Sequence, residues 1–372
     1  MFCEFTHLSK NLYNRANYLV RKEFLENGKW LRYLELDKML RQDHEHLDYS
    51  NMPLAQSAQQ TLRLLDSNWK SFFKSVKDWS KNKRKYSGRP NLPKYKPKDG
   101  RSVLIITNQR LKLTEDSIKF PKAFRGFAIK SRCITLDNFE KINQVRIVPD
   151  NQVFCIEIVY SISVEDNLAR DNGRYISIDL GLDNLTTVVT NTGLNPIIVN
   201  GKGLKSNNQY YNKKRAHYQS ISKQMNNLHY TNRLYRLTRK RNAKIEDALH
   251  KISRFIVDTA LANDICTIVI GNNKDWKQSI SLGKKTNQSF VSLPHCKLIE
   301  QICYKSRNLG IRVILTEESY TSGTSFLDHE IPQKKNYNKK RRIHRGLFVS
   351  NRGTMINADV NASYQIMKKS IP

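Results

Sequence analysis

Carboxylates at three separate places in the second half of the sequence are the residues whose type and spacing could carry chemistry. Asp179 follows the apolar run Tyr175–Ile178. Glu317 and Glu318 follow a second apolar run, and Asp359 opens the last helical segment. Acidic side chains at strand ends and at a helix start can converge on one edge of a sheet, and Mg²⁺ prefers such oxygen ligands. Two such ions about 3.5–4 Å apart can activate a water and stabilise the leaving oxygen when a phosphodiester bond is cut.

Each of these acids also has an ordinary structural explanation. Asp359 can be an acid that the helix dipole favours at the start of a helix. Asp179 stands before Leu-Gly and can belong to a turn. We favour a metal site because the acids form an ordered set, on a pattern of alternating strands and helices, within a very basic chain.

The chain carries a large excess of positive charge, with 64 Lys and Arg against 33 Asp and Glu and a formal net charge of +31. The natural counterpart of such a surface is a polyanion, and nucleic acid is the commonest one. A membrane is the alternative, but the sequence shows no basic amphipathic helix, no lipidation signal and no apolar run of about 18 residues. The first residues lack the apolar core of a secretory signal, so we expect a cytoplasmic protein with no membrane partner.

The six cysteines predict free thiols in a reducing compartment. No two of them form a C-x-x-C pair, and Cys155 and Cys266 lie inside apolar, strand-like runs. Both observations argue against disulfides and against a cysteine-bound zinc.

Changes in composition divide the sequence into three predicted parts. Apolar residues recur at helical spacing in 8–25 and 54–79, so residues 1–101 are predicted to be mostly helical. Short β-rich runs follow, and residues 102–172 are predicted to form an antiparallel β-barrel. Residues 173–372 alternate strands and helices as an α/β domain does. The predicted fold class is therefore α+β with several domains.

Within the last part, the predicted order is strand, hairpin, helix, strand, helix, strand and closing helix. The predicted strands are Tyr175–Ile178, Leu185–Thr190, Pro196–Val199, Cys266–Ile270 and Ile311–Leu315, and the predicted helices are Asn208–Ala262, Lys297–Asn308 and Ala358–Met367.

Residues 81–101 form a basic segment that its prolines keep extended. Tyr86 and Tyr95 are interleaved with the cations. Extended backbone with many cations and stackable rings suits contact with a phosphate backbone. A solvated linker is the alternative, and the charge of the whole chain favours nucleic-acid contact.

Short stretches spread along the chain together form a specific pattern. Tyr175–Thr187 reads YISIDLGLDNLTT, and Ile356–Ala362 reads INADVNA. Tyr320–Ser322 reads YTS, and the first half contains Lys10–Tyr18 and Trp69–Phe73. These stretches resemble, in turn, the first and last RuvC motifs of the TnpB family, the tripeptide before its zinc ribbon, and its N-terminal helical region. The resemblance spans nearly the whole chain.

The resemblance implies a transposon-encoded, RNA-guided DNA endonuclease. Such a protein binds a guide RNA derived from the transposon end and cuts matching double-stranded DNA with Mg²⁺, at a site for two ions, in the prokaryotic cytoplasm at the nucleoid. The implied architecture is a helical recognition region, an oligonucleotide-binding-like β-barrel and a RuvC/RNase H-like α/β nuclease domain. Phe2–Phe5 could be a remnant of the first barrel strand.

The family pattern implies Asp179 as the first metal ligand and Asp359 as the last. Its middle glutamate falls on Gly271, which has no side chain to bind a metal. Glu317 or Glu318 could replace it from the neighbouring strand. Because successive strand residues point to opposite faces, only one of the two would point inward, and we favour Glu318.

The zinc ribbon of the family is replaced by a degenerate insertion at about 320–355. No cysteine occurs between Thr321 and Asp359, and His329 and His344 alone cannot supply the about four ligands that zinc needs. We therefore predict no structural zinc, and we expect packing and the basic residues 339–342 to take its place.

Two other functions remain open at this point. If no other carboxylate replaces the missing glutamate, the protein is a nuclease-inactive, RNA-guided DNA-binding protein that acts like a repressor. Asp275 is a weaker candidate for the missing ligand. A transposase that transfers DNA strands would use the same metal chemistry and is a third possibility.

Overall fold

The computed structural model describes residues 1–114, 117–130, 141–151, 153–162, 170–226, 231–272, 293–344 and 346–371. Contacts divide the chain into two compact units, Met1–Ser163 and Val164–Pro372. The three-part division that we expected, with boundaries after residues 101 and 172, stays a prediction.

The described elements are a mixture of helices and strands, as the sequence predicts. The helices are α1 (Phe2–Asn27), α2 (Tyr33–Arg41), α3 (Ala55–Lys81), α4 (Lys202–Asn226), α5 (Asn232–Ala262), α6 (His295–Arg307) and α7 (Ala358–Ser370). The strands are β1 (Leu104–Thr107), β2 (Lys112–Leu113), β3 (Ser117–Lys119), β4 (Ala128–Lys130), β5 (Lys141–Asp150), β6 (Val153–Ser161), β7 (Tyr175–Leu180), β8 (Asn184–Thr190), β9 (Ile197–Asn200), β10 (Thr267–Gly271), β11 (Arg312–Thr316), β12 (Arg342–His344), β13 (Leu347–Val349) and β14 (Met355–Asn357).

The first unit has one core that its helices and strands share. Leu12 of α1 and Trp69 of α3 are fully buried, which confirms the two predicted apolar stripes. Leu104 and Ile147, from β1 and β5, lie in the same cluster. The helices therefore pack directly on the strands of this unit.

The described strands of the first unit do not close into the barrel that we expected. The described strands make two separate sheets, β1-β5-β6 and β2-β3-β4, and no closed barrel is found within the described ranges. The prediction of a strand at Phe2–Phe5 was wrong, because these residues form the first turn of α1. There Phe2 packs edge-on against Phe127 at 5.0 Å and Phe5 packs against Phe124 at 5.2 Å, so a helical spacing lets both rings join an aromatic cluster.

The second unit is built on a five-stranded sheet in the order β11-β10-β7-β8-β9. β7, β10 and β11 run parallel, and β8 and β9 are antiparallel to their neighbours. Apolar residues of β7 alternate between two clusters: the buried Ile176 and Ile178 pack with α5 and α6, whereas the partly buried Tyr175 packs with α7. Helices therefore cover both faces of the sheet around its central strand.

Most predicted elements of the second unit are confirmed within a few residues. The helical region predicted at 208–262 is two helices, and the hydroxyl oxygen of Thr231 caps the second by accepting from the N–H of Leu234 at 3.3 Å. β12, β13 and β14 form a small antiparallel sheet that leads directly into α7.

The cysteines of the described residues, Cys3, Cys155, Cys266, Cys296 and Cys303, are free thiols, as expected, and Cys133 lies outside those residues. Where the structure describes the chain, its helices are too short or too polar to cross a bilayer.

Candidate functional site

Asp179 lies near the carboxyl end of the central strand of the five-stranded sheet. The preceding residue, Ile178, pairs with Ile270 of β10, and Asp179 itself lies opposite Thr187 of β8. The carboxyl group is partly buried. Asp179 is thus held on the edge where the parallel strands end, which is the position that the sequence predicts.

The surroundings of Asp179 disfavour its negative charge. Burial raises the pKa of this carboxyl group well above its ordinary value, and the nearby carboxylates of Glu318 and Asp359 raise it further. The guanidinium of Arg342 and the backbone N–H of Leu180 act in the opposite direction. The predicted acids are therefore close enough to interact electrostatically.

Glu318 occupies the space that the side chain of residue 271 would otherwise fill. Gly271 follows Ile270, so the parallel register places it beside Asp179. A Cβ added to Gly271 would lie 2.7 Å from Cγ of Glu318 and 2.7 Å from Cδ1 of Ile366, and it would also meet Oε1 of Glu318. Burial raises the pKa of Glu318 from 4.5 to about 7. The glutamate thus reaches, from the segment after β11, the place where the family pattern puts a glutamate on β10.

Glu317, the neighbour of Glu318, is paired at the surface. Its Oε2 accepts a hydrogen bond from Ser319 Oγ at 2.7 Å and pairs with Nζ of Lys369 at 3.2 Å. Its side chain is 65% exposed. These two partners hold the Glu317 carboxylate on the surface and lower its pKa.

Asp359 stands in the first turn of α7 and is held by side chains from two other elements. Asn357 caps the helix: its Oδ1 accepts from the N–H groups of Asp359 at 2.9 Å and Val360 at 3.2 Å. Asn184 Nδ2 donates to Oδ2 of Asp359 at 2.8 Å. Arg342 Nη2 lies 3.5 Å from Oδ1. The carboxylate therefore has both oxygens engaged, and one partner is a cation.

Buried polar contacts fix α7 against the central strand. The hydroxyl of Ser177 donates to the carbonyl of Ser363 at 2.7 Å, and Ser363 returns a bond to the carbonyl of Ser177 at 2.9 Å. Asn361 accepts from the N–H of Phe326 at 2.9 Å and donates to the carbonyl of Thr324 at 2.8 Å. The bonds between Ser177 and Ser363 set the position of Asp359 relative to Asp179, because they join α7 to β7, and the bonds of Asn361 tie α7 to the segment at residues 324–326.

Our reading of the sequence missed the roles of Asn184, Arg342 and Asn361. Asn184 and Asn361 lie inside the first and last motifs, so their positions could have been used as a signal. Arg342 belongs to a run of like cations, and nothing in the sequence distinguishes it from its neighbours. Asp275, the weaker candidate for the missing ligand, lies outside the described residues.

A cluster of charged side chains lies in the segment where the family has its zinc ribbon. Arg341 Nη1 pairs with Glu330 Oε2 at 2.6 Å, and both side chains are only 16% exposed. Arg341 Nη2 also donates to Oδ1 of Asn351 at 2.7 Å, and the N–H of Asn351 donates to Asp328 Oδ2 at 2.7 Å. This cluster links the residues around Glu330 to those around Arg341 and Asn351.

The chemistry of the acidic side chains suits a hard divalent cation, although their oxygens do not yet surround a common point. Within the parts of the chain that the structure describes, no three His, Cys, Asp or Glu side chains form a ready metal-binding group. The coupled acids are all carboxylates, and desolvation and mutual repulsion raise the pKa of Asp179. Both effects would be relieved by a bound cation, so Asp179, Glu318 and Asp359 fit Mg²⁺ by chemistry.

Comparisons with known protein families match two stretches of the chain. A family model described as a probable transposase, OrfB_IS605, matches residues 157–277. A second model, the Cas12f1-like TNB domain, matches residues 295–366. The first stretch contains Asp179, and the second contains Glu318 and Asp359.

Comparisons with whole proteins cover nearly all of the chain. The TnpB-like protein ORF457 of Acidianus two-tailed virus is 22% identical over 396 aligned residues, which is 98% of this chain and 82% of the viral protein. The cryo-EM structure of a Cas12f1–sgRNA–target DNA complex is 14% identical, with a TM-score of 0.40, and covers 100% of this chain and 94% of that one. A second cryo-EM structure, of a CRISPR–Cas12f ternary complex, is 12% identical, with a TM-score of 0.40 over 100% of this chain and 81% of that one.

Proposed function

The chain is a member of the TnpB family, and on that premise we propose that it is an RNA-guided DNA endonuclease of transposon origin. The single observation that carries the proposal is the meeting of three acids from distant stretches. The Asp179 carboxyl group is coupled to Glu318 and Asp359, and Glu318 fills the space over Gly271. If the family's middle carboxylate had been lost at Gly271 together with the activity, there would be no need for Glu318 to place a carboxylate in the same space.

The topology of the second unit supports a RuvC-type assignment for this domain. Three antiparallel strands, β7, β8 and β9, lie beside two parallel strands, β10 and β11, with the first strand at the centre. A helix at the end of the unit packs on that central strand. Sites of open α/β sheets lie at the carboxyl ends of the parallel strands, and in this unit the topology brings acids from β7, from the segment after β11 and from α7 to that edge.

In this proposal Asp179, Glu318 and Asp359 would hold Mg²⁺. When bound, a pair of Mg²⁺ ions would activate a water and stabilise the oxygen that leaves the scissile phosphate. The side chains have to draw closer together for this, so the contacts of Arg342 and Asn184 with Asp359 have to adjust.

The protein's other groups keep this cluster of acids in place. Asn184 orients Asp359, and the Ser177–Ser363 bonds hold α7 on β7. Gly271 leaves room for Glu318, and the guanidinium of Arg342 offsets part of the negative charge. Arg342 would also be available to the phosphate of a bound strand once it leaves Asp359.

The partners follow from the family and from the charge. We propose a guide RNA derived from the transposon end and a double-stranded target DNA, with the sequence read by base pairing. A formal net charge of +31 provides the electrostatic attraction for both. The alternative is a repressor-like protein that binds guided DNA targets and does not cut them. The experiment below separates this alternative from the nuclease.

The test is guided cleavage by the complete ribonucleoprotein. The protein is purified with its co-expressed RNA and offered a plasmid library with randomised bases beside the target in Mg²⁺. We expect cuts at the matched target with one class of flanking bases, and none with Asp179→Ala or Asp359→Ala. Guided binding without cuts by the unchanged protein would contradict the nuclease and support the repressor-like alternative.

A further inference from the structure

Residues 88–101 of the first unit, which we name the basic strap, run along α1 in the opposite direction. The strap lies within the basic segment that the sequence predicts to be extended. Its cations are Arg89, Lys94, Lys96, Lys98 and Arg101, and its one acid is Asp99. Such a segment would ordinarily sample many conformations, so the contacts that fix it require an explanation.

A stripe of polar side chains on α1 holds the backbone of the strap. Lys10 Nζ donates to the carbonyl of Lys98 at 2.6 Å. Asn14 makes two bonds to Lys96, donating to its carbonyl at 2.9 Å and accepting from its N–H at 2.8 Å. Asn17 donates to the carbonyl of Pro93 at 3.0 Å. The helix thus uses its side chains to satisfy the backbone groups of an extended chain.

The stripe has the spacing of one helix face. His7 Nδ1 lies 3.2 Å from the carbonyl of Gly100, and positions 7, 10, 14 and 17 follow each other by three or four residues. One turn further along α1, the Arg21 guanidinium lies 4.8 Å from the centre of the Tyr95 ring. The strap is therefore ordered from Pro93 to Gly100 by the helix beside it.

The bonds to α1 use the backbone of the strap and leave three of its five cations exposed, whereas Lys96 and Arg101 are half-buried. Lys94 and Lys98 are exposed, and so is Arg89. Polar side chains of α1 hold the backbone of the strap. The exposed cations of the strap therefore project from a backbone with set positions. Fixed cations bind a phosphate backbone with less loss of conformational entropy than mobile ones do.

A cavity of about 300 Å³ opens beside the strap, between α1 and α3. Its lining combines aromatic rings with amides and hydroxyls, from Tyr13, Asn68, Ser71, Phe72, Ser75, Pro90, Asn91, Pro93 and Lys94. Asn68 Nδ2 donates to the hydroxyl of Tyr13 at 3.0 Å, which fixes both groups at the wall. Tyr13 is only 3% exposed and Nζ of Lys96 lies 4.8 Å from the centre of its ring, so Phe72 is the ring of this lining that is open to an unstacked base. Lys94 lies at the same wall.

We propose that the basic strap and this cavity bind a single-stranded stretch of RNA, with phosphates at Lys94 and Lys98 and one unstacked base in the cavity. The choice of RNA rests on the proposed function, in which a guide RNA is the resident partner. Single-stranded RNA offers the unstacked bases that such a cavity needs, whereas a duplex keeps its bases paired.

The test is the binding of a short labelled single-stranded RNA to the full chain in EDTA, followed by fluorescence anisotropy across a series of salt concentrations. Lys94→Ala with Lys98→Ala should lower the affinity at 0.1 M salt by about 25-fold. It should also lower the magnitude of the log–log salt slope by about 1.4, because each phosphate contact on a single strand contributes about 0.7. Lys38→Ala with Lys112→Ala removes two exposed cations of the same unit and is the matched control, for which we expect an unchanged slope.

Two further comparisons distinguish binding by the ordered basic strap from nonspecific electrostatic attraction. Asn14→Ala removes no charge but frees the strap at Lys96, so we expect weaker binding with an unchanged salt slope. A strand with abasic sites should bind at least about five-fold more weakly than the normal strand, since stacking contributes about 1–3 kcal/mol per base.

Equal effects of the strap and control pairs would overturn the proposal, and so would equal binding of normal and abasic strands. Tighter binding of duplex DNA or of single-stranded DNA than of RNA would also overturn it. No cleavage is measured here, so a failure of strand binding and a failure of guided cutting are separate results.

Discussion

At the scale of single residues, the candidate site depends on a missing side chain on one strand and on a side chain from beside the neighbouring strand that fills its place. Gly271 leaves an open space beside Asp179, and Glu318 reaches into it from the segment after β11. The glycine and the glutamate therefore form one structural feature. A side chain at 271 and the observed position of Glu318 exclude each other.

The first prediction concerns that space. Gly271→Ala should lower both the rate of guided cleavage and the free energy of unfolding, the latter by about 1–3 kcal/mol, because the added Cβ overlaps Glu318 and Ile366. Gly203→Ala is the matched control in the same unit, since a Cβ there meets nothing within 4 Å. In a helix this control should be neutral or stabilising by up to about 1 kcal/mol. Equal thermal melting and equal cleavage for the two variants would show that Glu318 does not need the glycine.

The second prediction concerns the raised pKa of Glu318, which burial sets to about 7 against an ordinary value of 4.5. Because ionisation of Glu318 disfavours the folded state, the contribution of this group to the stability of the metal-free protein should be fully present below pH 4.5 and should be lost as the pH rises through about 7. In Glu318→Gln that loss should be smaller, and only the part due to Asp179 should remain. Melting temperatures measured in EDTA from pH 5 to pH 8 give the comparison. A steeper loss in the variant than in the unchanged protein would contradict the assigned cause.

At the scale of elements, the site is assembled by α7 and by the segment that precedes it. The small sheet β12-β13-β14 carries Arg342 at one end and passes into the cap of α7 at the other. The Glu330–Arg341 pair and its partners hold that segment without the cysteines of a zinc ribbon. Arg341 therefore helps to hold Arg342, the next residue in the chain, beside Asp359.

The third prediction tests this cluster. Arg341→Met should destabilise the second unit by about 1–3 kcal/mol, because it leaves the largely buried Glu330 carboxylate without its cationic hydrogen-bond donor. Adding Glu330→Leu should recover much of the loss, since the remaining pair is apolar. Both variants are compared by chemical unfolding with urea. Additive losses in the double variant would indicate that the two side chains do not act as a pair.

The sequence predicts the elements of the second unit well because each carries its own signal. β7, β10 and β11 are short apolar runs, and α7 begins where Asn357 can cap it. The short helix α2 and the helical turn at Phe2–Phe5 were missed, because a few apolar residues fit either a strand or a helix.

Some positions in the candidate site follow from local sequence pattern, whereas others depend on packing that the sequence does not reveal. Strand alternation indicates that only one of Glu317 and Glu318 points inward, but which one depends on the contact with Lys369 on α7. The partnership of Arg342 with Asp359 depends on where β12 pairs with β13, which no local pattern specifies. The expected barrel failed for a similar reason, since short β-rich runs do not determine which strands pair.

At the scale of the whole molecule, the excess of cations is the feature that the two units share. A formal net charge of +31 favours contact with nucleic acid over a large surface, while the few acids that matter are concentrated at one sheet edge. The basic strap in the first unit shows that part of this charge is held in fixed geometry. Binding and cutting are thus assigned to different parts of the chain.

The fourth prediction follows from that charge. The affinity of the guided complex for its target DNA should fall linearly on a log–log scale as monovalent salt rises, by about 0.9 per duplex phosphate neutralised. Filter binding in the presence of Ca²⁺ in place of Mg²⁺ gives the slope without cleavage. A slope near zero would indicate that base pairing alone holds the target and that the cations serve another purpose.

The most direct measurement is the rate of guided DNA cleavage in Mg²⁺ by the matched pair Glu318→Gln and Glu317→Gln, with guide RNA and target held constant. Both variants remove one charge from adjacent residues, and only Glu318 lies beside Asp179 and Gly271. We predict that Glu318→Gln loses cleavage while binding of the target is retained, and that Glu317→Gln cuts at nearly the unchanged rate. Normal cleavage by Glu318→Gln, or its loss in Glu317→Gln alone, would contradict the account.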